Sequence, residues 1–563
     1  MVTEFVIDIF RVADPKGAPG GLALSAVDIL DAGARRLDVQ LTSQPQLAAR
    51  LTEVVGTIYV ELGQYDHAIA LLQHALDLRR GVPHDASDAN LIAQLARAEY
   101  EKGDFPAAEK NAAMALQLHR SGNGATTAAV SRDLALQGDI ARRQGDFKKA
   151  EPLLKEALDL SRAISGEPNA TTAGELNQLA VLYSDMHRLD EGTVLTEQAL
   201  AMFRTLYGED HLDVAENLIN LGSFRMQTGL VEDALPPLDE ALAIYRRLLP
   251  AAHPLIATAL VNHARAFDRL SRYREAAPLY LEALAMQKQL LGAQHPDVAA
   301  TLNNLAVLRL HTNDFAGAAD CSRQALAIWE FLGKPEHPFA LGSKANLSVA
   351  LRESGDLVAS ERLIREVLAA RRRQLGEKHF LVSFTMDQLG IVLRLSGRPA
   401  EALAQHQLAE IMRASVSGMP PLELAAARVQ YALSELGVGE LSGANAHVDQ
   451  ALRDLNGVKP LNPERIADAL VAKTRIALAQ HDTSTACVAA SRALDLRPTD
   501  DPATGWRHAE ALAAHGQCLA ARKEFATAQA ELQAALALLT HSRGIDHWMT
   551  TQVREALRIT PKA

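Results

Sequence analysis

The chain has 563 residues, of which 48% are hydrophobic but only 4% are aromatic, and its formal net charge is −11. This length exceeds what one compact domain usually holds, unless the chain is a repeat array that grows without enlarging a single core. The acidic balance argues against a general nucleic-acid-binding surface, and no apolar run reaches the roughly 18 residues of a membrane span. The composition therefore predicts a soluble, cytoplasmic chain with cores of Ala, Leu and Val.

The N-terminal part predicts two helices joined by a linker. Residues 1–12 carry apolar side chains at helical spacing, but acidic residues interrupt them, so a helix is predicted and not a signal peptide. Residues 13–21, "ADPKGAPGG", are rich in helix breakers and predict the linker. A second helix begins at Ser25, which is a typical N-cap residue.

A pair of positions seven residues apart recurs twelve times along the chain, and both hold small residues except that Val367 is the second member of one pair. The first member of each pair falls at Ala68, Ala108, Ala150, Gly192, Ala234, Ala276, Ala318, Ser360, Ala402, Ala444, Ala486 and Ala528. Ten of the steps between them are 42 residues long and one is 40 residues long. A fixed period of this length predicts a repeat array.

Each unit is predicted to fold as two helices. In the first repeat, "LTEVVGTIYVE" and "DHAIALLQHALDLRR" flank the tight turn "LGQY". Most other repeats also have a glycine in this turn, as in "KGDF" and "SGDL". Between units, a glycine that ends one helix is followed by a proline in the first turn of the next, as in "LGAQHPD". The recurring small residues are expected to let neighbouring helices approach closely.

The stretch "VVGTIYVELGQYDHAIALLQHAL", residues 54–76, resembles the tetratricopeptide repeat (TPR), whose usual unit has about 34 residues. The longer unit with "LG..HPD" and "LNNLA" is similar to the kinesin-light-chain-like variety. The resemblance implies an all-α fold, a right-handed superhelical α-solenoid of about twelve helix-turn-helix repeats with flanking helices. We expect N-terminal helices and a linker over residues 1–45, twelve TPR-like repeats over residues 46–540 and a C-terminal capping helix over residues 541–563.

The opening "TEFVIDIFRVADP" and the helix "ILDAGARRLD" are similar to the segment that joins membrane span to repeats in certain bacterial Ser/Thr kinases. This likeness implies a sensory or regulatory TPR region of such a kinase system, with a kinase partner or a missing kinase domain. Its location would then be extracytoplasmic. The chain itself has no Gly-rich phosphate loop, His-Arg-Asp run or Asp-Phe-Gly, so we expect no catalytic residue, no enzymatic activity and no cofactor.

No metal site is predicted, although one histidine recurs every 42 residues in the loops between units. These histidines are His211, His253, His295, His337 and His379. Equivalent positions in stacked repeats lie roughly 10 Å apart, too far to share one ion. We interpret them as loop residues that pack before the next helix, with a pH-sensing ladder as the alternative.

The cysteines predict no disulfide. Cys321, Cys487 and Cys518 are far apart in the sequence and odd in number. We therefore expect three buried free thiols that act as small hydrophobic residues.

Seven consecutive units carry a side-chain amide at one position of the first helix, fourteen residues before the first small residue. This amide column consists of Gln178, Asn220, Asn262, Asn304, Asn346, Gln388 and Gln430, with Asn303 beside it. The first helices line the concave face in the family that the chain resembles, and carboxamides can donate to and accept from the backbone of an extended peptide. Arg265 and Arg352 lie within a few positions and complete the predicted peptide-binding set. The alternative is that each amide bonds to the neighbouring repeat and pins the stack.

The sequence thus predicts a non-catalytic scaffold whose concave groove holds an extended segment of a partner protein, without nucleic acid. The sensory region of a bacterial Ser/Thr kinase system is the alternative. A peptide-responsive transcription regulator is disfavoured because no DNA-binding helix-turn-helix is recognisable outside the repeats.

Overall fold

The computed structural model describes residues 30, 45–61, 64–79, 86–121, 127–165, 168–414, 421–458, 461–497 and 505–561. Every regular element in these ranges is an α-helix. The helices divide between two compact units, residues 1–251 and 252–563. The helices and linker predicted before residue 45 lie outside the described residues, apart from Leu30, which packs against the core of the first repeat.

The described part of the first unit contains ten helices in five consecutive pairs. They are α1 (Pro45–Glu61), α2 (Tyr65–Leu78), α3 (Ala86–Lys102), α4 (Phe105–Ser121), α5 (Thr127–Arg143), α6 (Phe147–Ser165), α7 (Ala170–Asp185), α8 (Leu189–Tyr207), α9 (Leu212–Gln227) and α10 (Val231–Leu248). Each odd-numbered helix is the first helix of a repeat and each even-numbered helix is the second.

The described part of the second unit contains seven further pairs and one last helix. They are α11 (Pro254–Arg269), α12 (Tyr273–Leu291), α13 (Pro296–His311), α14 (Phe315–Phe331), α15 (Pro338–Glu353), α16 (Leu357–Leu375), α17 (Phe380–Leu395), α18 (Pro399–Ala414), α19 (Pro421–Val438), α20 (Leu441–Gly457), α21 (Pro463–Ala479), α22 (Thr483–Asp495), α23 (Gly505–Ala521), α24 (Phe525–Arg543) and α25 (Trp548–Ile559). The repeated helix pairs confirm the predicted all-α solenoid. Within these ranges, no helix combines the length and the apolar character that a bilayer crossing requires.

The two helices of a repeat pack through the small residues that define the period. Ala276 and Ala283 of α12 are fully buried, and so are Ser360 and Val367, which replace the two alanines in α16. The small side chains of the two alanines and of Ser360 leave room for the partner helix to approach at close packing density, and Val367 is the larger exception. The predicted role of these positions is therefore confirmed.

The turn between the two helices of a repeat needs a residue with positive φ. Glycine supplies it in six described repeats, at Gly103, Gly145, Gly229, Gly355, Gly397 and Gly439. In five other repeats a residue with a side chain adopts the same conformation, at His187, Ser271, Asn313, His481 and Lys523. The glycine turns read from the sequence are confirmed, and the five exceptions hold an unfavourable backbone conformation.

Within each unit the first helices lie on the inner side of the curve. First helices of successive repeats contact each other, for example α3 with α5 and α13 with α15. No comparable contact joins two second helices in the described ranges, where each second helix packs on its neighbours in sequence. The first helices therefore form the concave face of each unit, as the TPR resemblance implies.

In the second unit the last repeat also contacts a repeat that is distant in the sequence. The Arg543 guanidinium donates a hydrogen bond of 2.9 Å to the backbone carbonyl oxygen of Glu353, 190 residues earlier. The same guanidinium carbon lies 4.0 Å from the ring centroid of Trp506 and 4.4 Å from that of Phe315. Since His547 Nε2 lies 3.1 Å from the Glu353 carbonyl oxygen as well, the beginning of α25 belongs to this cluster.

Two cysteines form a disulfide that the sequence did not predict. Cys487 of α22 is bonded to Cys518 of α23, with their Cα atoms 5.3 Å apart. The expectation of three free thiols was wrong because the second helix of one repeat packs on the first helix of the next, which brings together residues 31 positions apart. Cys321 is a buried free thiol, as expected.

Candidate functional site

Two members of the amide column in the second unit are not used to join repeats. Asn262 and Asn304 lie on α11 and α13, and both side chains are half-buried. Asn262 Nδ2 donates to the Thr258 carbonyl oxygen of its own helix at 3.0 Å, and Asn262 Oδ1 accepts from Arg265 Nη1 at 3.3 Å. The Asn304 carboxamide makes no hydrogen bond to any described residue. Both amides therefore keep hydrogen-bonding capacity for a ligand on the inner face.

The next amides of the second unit bridge adjacent repeats. Asn346 Nδ2 donates to Asn303 Oδ1 at 3.0 Å, and the Ser343 hydroxyl donates to the same oxygen at 3.1 Å. Arg352 Nη1 donates to Gln388 Oε1 at 2.7 Å. These contacts correspond to the alternative interpretation, in which the amides pin the stack.

The same arginine–glutamine bridge recurs one repeat further along the chain. Arg394 Nη2 donates to Gln430 Oε1 at 2.9 Å. Burial, together with the nearby guanidiniums of Arg475 and Arg352, lowers the pKa of Arg394 to about 10. The guanidinium keeps its charge at neutral pH, and the Gln430 amide oxygen is an acceptor for it.

The first unit contains the two remaining members of the amide column, Asn220 and Gln178, which differ in their surroundings. Asn220 of α9 is half-buried, and its carboxamide bonds to no described residue. Gln178 of α7 lines a cavity of about 540 Å³, and its Oε1 is buried without a hydrogen-bond partner. Gln94 lines the same cavity from the same repeat position on α3. Gln94 was not predicted because Leu136 occupies that position in the intervening repeat and interrupts the run of amides.

The recurring histidines are N-cap residues of the first helices. In each of them the imidazole Nδ1 accepts a hydrogen bond from the backbone N–H two residues later, at 3.2–3.3 Å for the five predicted residues. The rings also pack, as where His337 stacks on the buried Trp329 with ring centroids 4.2 Å apart. The interpretation as loop residues that pack before the next helix is confirmed. The described residues contain no group of three or more His, Cys, Asp or Glu arranged to hold a metal ion.

Paired helices of fixed period, with small residues at the pair interface and polar side chains on a concave inner face, define an α-solenoid built of helical-hairpin repeats. The tetratricopeptide repeat profile matches residues 47–121, 85–163, 170–247, 214–289, 255–330 and 340–411. These spans together cover more than half of the chain. The chain belongs to the tetratricopeptide repeat family.

Several solved structures resemble parts of the chain. BtubC (BKLC) from P. vanneervenii is 24% identical, with a TM-score of 0.36, over 40% of this chain and 91% of its own. A putative kinesin light chain of Podosopora anserina with nearly identical TPR-like repeats is 23% identical, with a TM-score of 0.33, over 37% of this chain and 100% of its own. The apo form of the quorum sensor NprR from B. thuringiensis is 14% identical, with a TM-score of 0.48, over 64% of this chain and 96% of its own. At these values the likenesses carry no functional conclusion, and no curated protein matches the chain significantly.

Proposed function

We propose that the chain is a non-catalytic scaffold that binds an extended segment of a partner protein along the inner face of the second unit. The observation that carries this proposal is the pair Asn262 and Asn304, whose carboxamides make no bond between repeats. Membership of the TPR family supports it, and so does the inner position of the first helices. Location in the cytoplasm belongs to the same proposal.

The spacing of the repeats suits an extended ligand. Adjacent first helices are separated by roughly 8–10 Å, and an extended chain advances roughly 3.3 Å per residue. Carboxamides on neighbouring repeats would therefore meet the ligand backbone about every third residue. Each carboxamide can donate to a backbone carbonyl and accept from a backbone N–H, so such binding holds the chain without reading its side chains. Arg265 is exposed beside Asn262 and supplies a further donor for a carbonyl or carboxylate oxygen.

The proposal is tested by affinity capture with two matched baits from a lysate of the protein's own cells. One bait is the wild-type chain and the other carries Asn262→Ala and Asn304→Ala. Quantitative mass spectrometry should find a partner enriched on the wild-type bait and several-fold depleted on the double variant, because two hydrogen bonds to the ligand backbone are lost. A set of captured proteins that does not differ between two equally folded baits would reject the groove at these residues.

One observation favours the alternative, an extracytoplasmic sensory region. Disulfides are rare in the cytosol and persist in oxidising compartments, and Cys487 is bonded to Cys518. The residues that resemble the kinase segment lie, except for Leu30, outside the described residues. The alternatives are separated by alkylating thiols at the moment of cell lysis and counting the modified cysteines. Only Cys321 should react after denaturation if the compartment is oxidising, whereas all three cysteines should react in a cytoplasmic protein.

A further inference from the structure

The cavity of the first unit is a site of its own. It has a volume of about 540 Å³ and is lined by the first helices α3, α5 and α7 and by His119 at the end of α4. This volume lies within the range of roughly 300–1,000 Å³ that is usual for ligand pockets. Arg97, Arg132 and Glu101 lie at its exposed rim, while the remaining charged groups are deeper.

The deep part of the cavity contains two buried carboxyl groups, those of Asp133 and Glu175, of which only Asp133 contacts a basic side chain. His119 Nδ1 lies 2.5 Å from Asp133 Oδ2, and both residues are only 3% exposed. Glu175 is 4% exposed, and its carboxylate accepts from the hydroxyls of Ser131 and Ser161, with no basic side chain of the described residues in contact. Burial raises the pKa of Asp133 and of Glu175, since their charged forms are poorly solvated there.

Two further buried atoms of the cavity wall have no hydrogen-bond partner. They are Gln178 Oε1 and His119 Nε2. The amide oxygen can only accept a hydrogen bond, and a neutral imidazole whose Nδ1–H donates to Asp133 presents Nε2 as a second acceptor. A buried acceptor without a donor loses its hydrogen bonds to water and gains none in exchange. The depth of the cavity therefore presents acceptors and carboxyl groups, which suit a ligand cation that carries N–H donors.

We propose that this cavity binds a basic side chain, arginine or lysine, of the bound protein segment. The cationic end would lie between Glu175, Gln178 and His119 and donate hydrogen bonds to their acceptor atoms. The rim arginines do not oppose this placement strongly, because exposed charges are screened by water and salt while the buried carboxyl groups are not. The inference rests on the proposed function because the basic side chain belongs to a protein ligand. The cavity itself lies in the first unit.

A pair of isosteric probes tests the charge requirement on the full chain. N-acetyl-arginine N-methylamide is compared with N-acetyl-citrulline N-methylamide, which has nearly the same shape and carries no charge. Ligand-observed NMR titration should show the arginine probe binding about tenfold or more tightly, as expected for hydrogen bonds between charged groups. Equal affinity of the two probes would overturn the proposal without the need for any variant.

A matched pair of variants locates the site. Glu175→Gln removes the buried charge at nearly constant volume and should reduce the preference for arginine over citrulline at least about fivefold. Glu99→Gln is the control, because Glu99 is also a buried carboxyl on α3 with a pKa raised by burial, but it bonds to Asn111 and does not line the cavity. Its preference for arginine should be unchanged. If Glu175→Gln is unstable, Gln178→Leu serves in its place, and a preference that survives in the folded variant contradicts the proposed position.

The outcome is independent of the groove in the second unit. The variant Asn262→Ala, Asn304→Ala should bind the arginine probe as the wild-type chain does. If the probe fails to bind while that variant still loses its partner, the cavity proposal falls and the proposed function stands. If the probe binds while the Asn262→Ala, Asn304→Ala variant keeps its partner, the cavity proposal stands and the proposed function falls.

Discussion

At the scale of single residues, the inter-repeat histidines make helix capping depend on pH. Nδ1 of His337 and of His379 accepts from the backbone N–H of Phe339 and Leu381, which requires an unprotonated nitrogen. Burial lowers the pKa of both histidines below the usual 6.5, and the cations Lys334 and Arg371 add to this. Protonation would remove the acceptor and place a positive charge at a helix N-terminus, where the helix dipole disfavours it.

The first prediction follows from the sign of this shift. Because the folded-state pKa is lower than that of the unfolded chain, the unfolded chain binds more protons as the pH falls. The stability that these two caps contribute is therefore complete above about pH 6.5 and is lost as the pH falls from there through the folded-state pKa. His379→Asn keeps a capping side chain that does not titrate, so the loss of melting temperature between about pH 7.5 and about pH 5.5 should be smaller than in the wild-type chain. An equally large loss in the variant would assign the pH dependence to other groups. His379→Ala is the control, with about 1 kcal/mol less stability already at neutral pH.

The second prediction concerns the turn inside each repeat. Lys523 adopts a φ of 66°, a conformation that costs an L-residue roughly 1–2 kcal/mol and glycine much less. Lys523→Gly should therefore raise the free energy of unfolding by up to about 1 kcal/mol. Gly145→Ala makes the reverse change at a φ of 80°, where an added Cβ meets no atom within 4 Å, and should lower stability. Chemical denaturation of both variants measures this, and a stabilising Gly145→Ala would contradict the backbone argument.

At the scale of helices, the close approach of two helices in a repeat depends on glycine where a leucine crosses. A Cβ added at Gly222 of α9 would lie 2.7 Å from Cγ and Cδ2 of Leu238 of α10. A Cβ added at Gly174 of α7 meets no atom within 4 Å. The two positions are both inside first helices of the first unit, so they differ in packing and not in secondary structure.

The third prediction is that alanine has opposite effects at these two glycines. Gly174→Ala should stabilise the chain by about 0.5–1 kcal/mol, because alanine is the better helix former. Gly222→Ala should destabilise it by about 1–3 kcal/mol through overpacking against Leu238, partly offset by the same propensity gain. Denaturant titration of the two variants decides the matter. A stabilising Gly222→Ala would mean that the α9–α10 interface adapts without cost.

The helices could be predicted from the sequence because their determinants are local and periodic. The spacing of Ala276 and Ala283, the glycine turns and the His-Pro helix starts all act within one repeat and recur in the next. The side-chain contacts between repeats could not be predicted in the same way. The disulfide between Cys487 and Cys518 depends on which helices become neighbours, which no single repeat contains.

The candidate site shows the same division. The position of the amides could be read from the sequence, but their hydrogen-bond partners could not, since Gln388 is bonded by an arginine 36 residues earlier while the Asn304 amide bonds to no described residue. The cavity of the first unit could not be predicted from the sequence for a further reason. Leu136 interrupts the amide positions there, and the carboxyl groups of Asp133 and Glu175 reach the same space from different repeats.

At the scale of the whole molecule, the amides on the inner face divide into two groups with separate expected functions. In a repeat array each interface contributes its own share of the stability, so loss of a bridge between repeats should lower the melting temperature. The amides of Gln388 and Gln430 form such bridges with Arg352 and Arg394. The amides of Asn262 and Asn304 form none, so they can be replaced without loosening the stack.

Two double variants separate the ligand-binding amides from the bridging amides. The affinity of the captured partner for each variant is measured together with the melting temperature of that variant. Asn262→Ala with Asn304→Ala should weaken binding about 5- to 150-fold, since each hydrogen bond to a ligand backbone contributes about 0.5–1.5 kcal/mol, and it should leave the melting temperature unchanged. Gln388→Ala with Gln430→Ala should lower the melting temperature and leave the affinity of the folded protein nearly unchanged. Wild-type affinity in the Asn262→Ala, Asn304→Ala variant, together with a fall in its melting temperature, would contradict the claim that this part of the inner face holds the ligand.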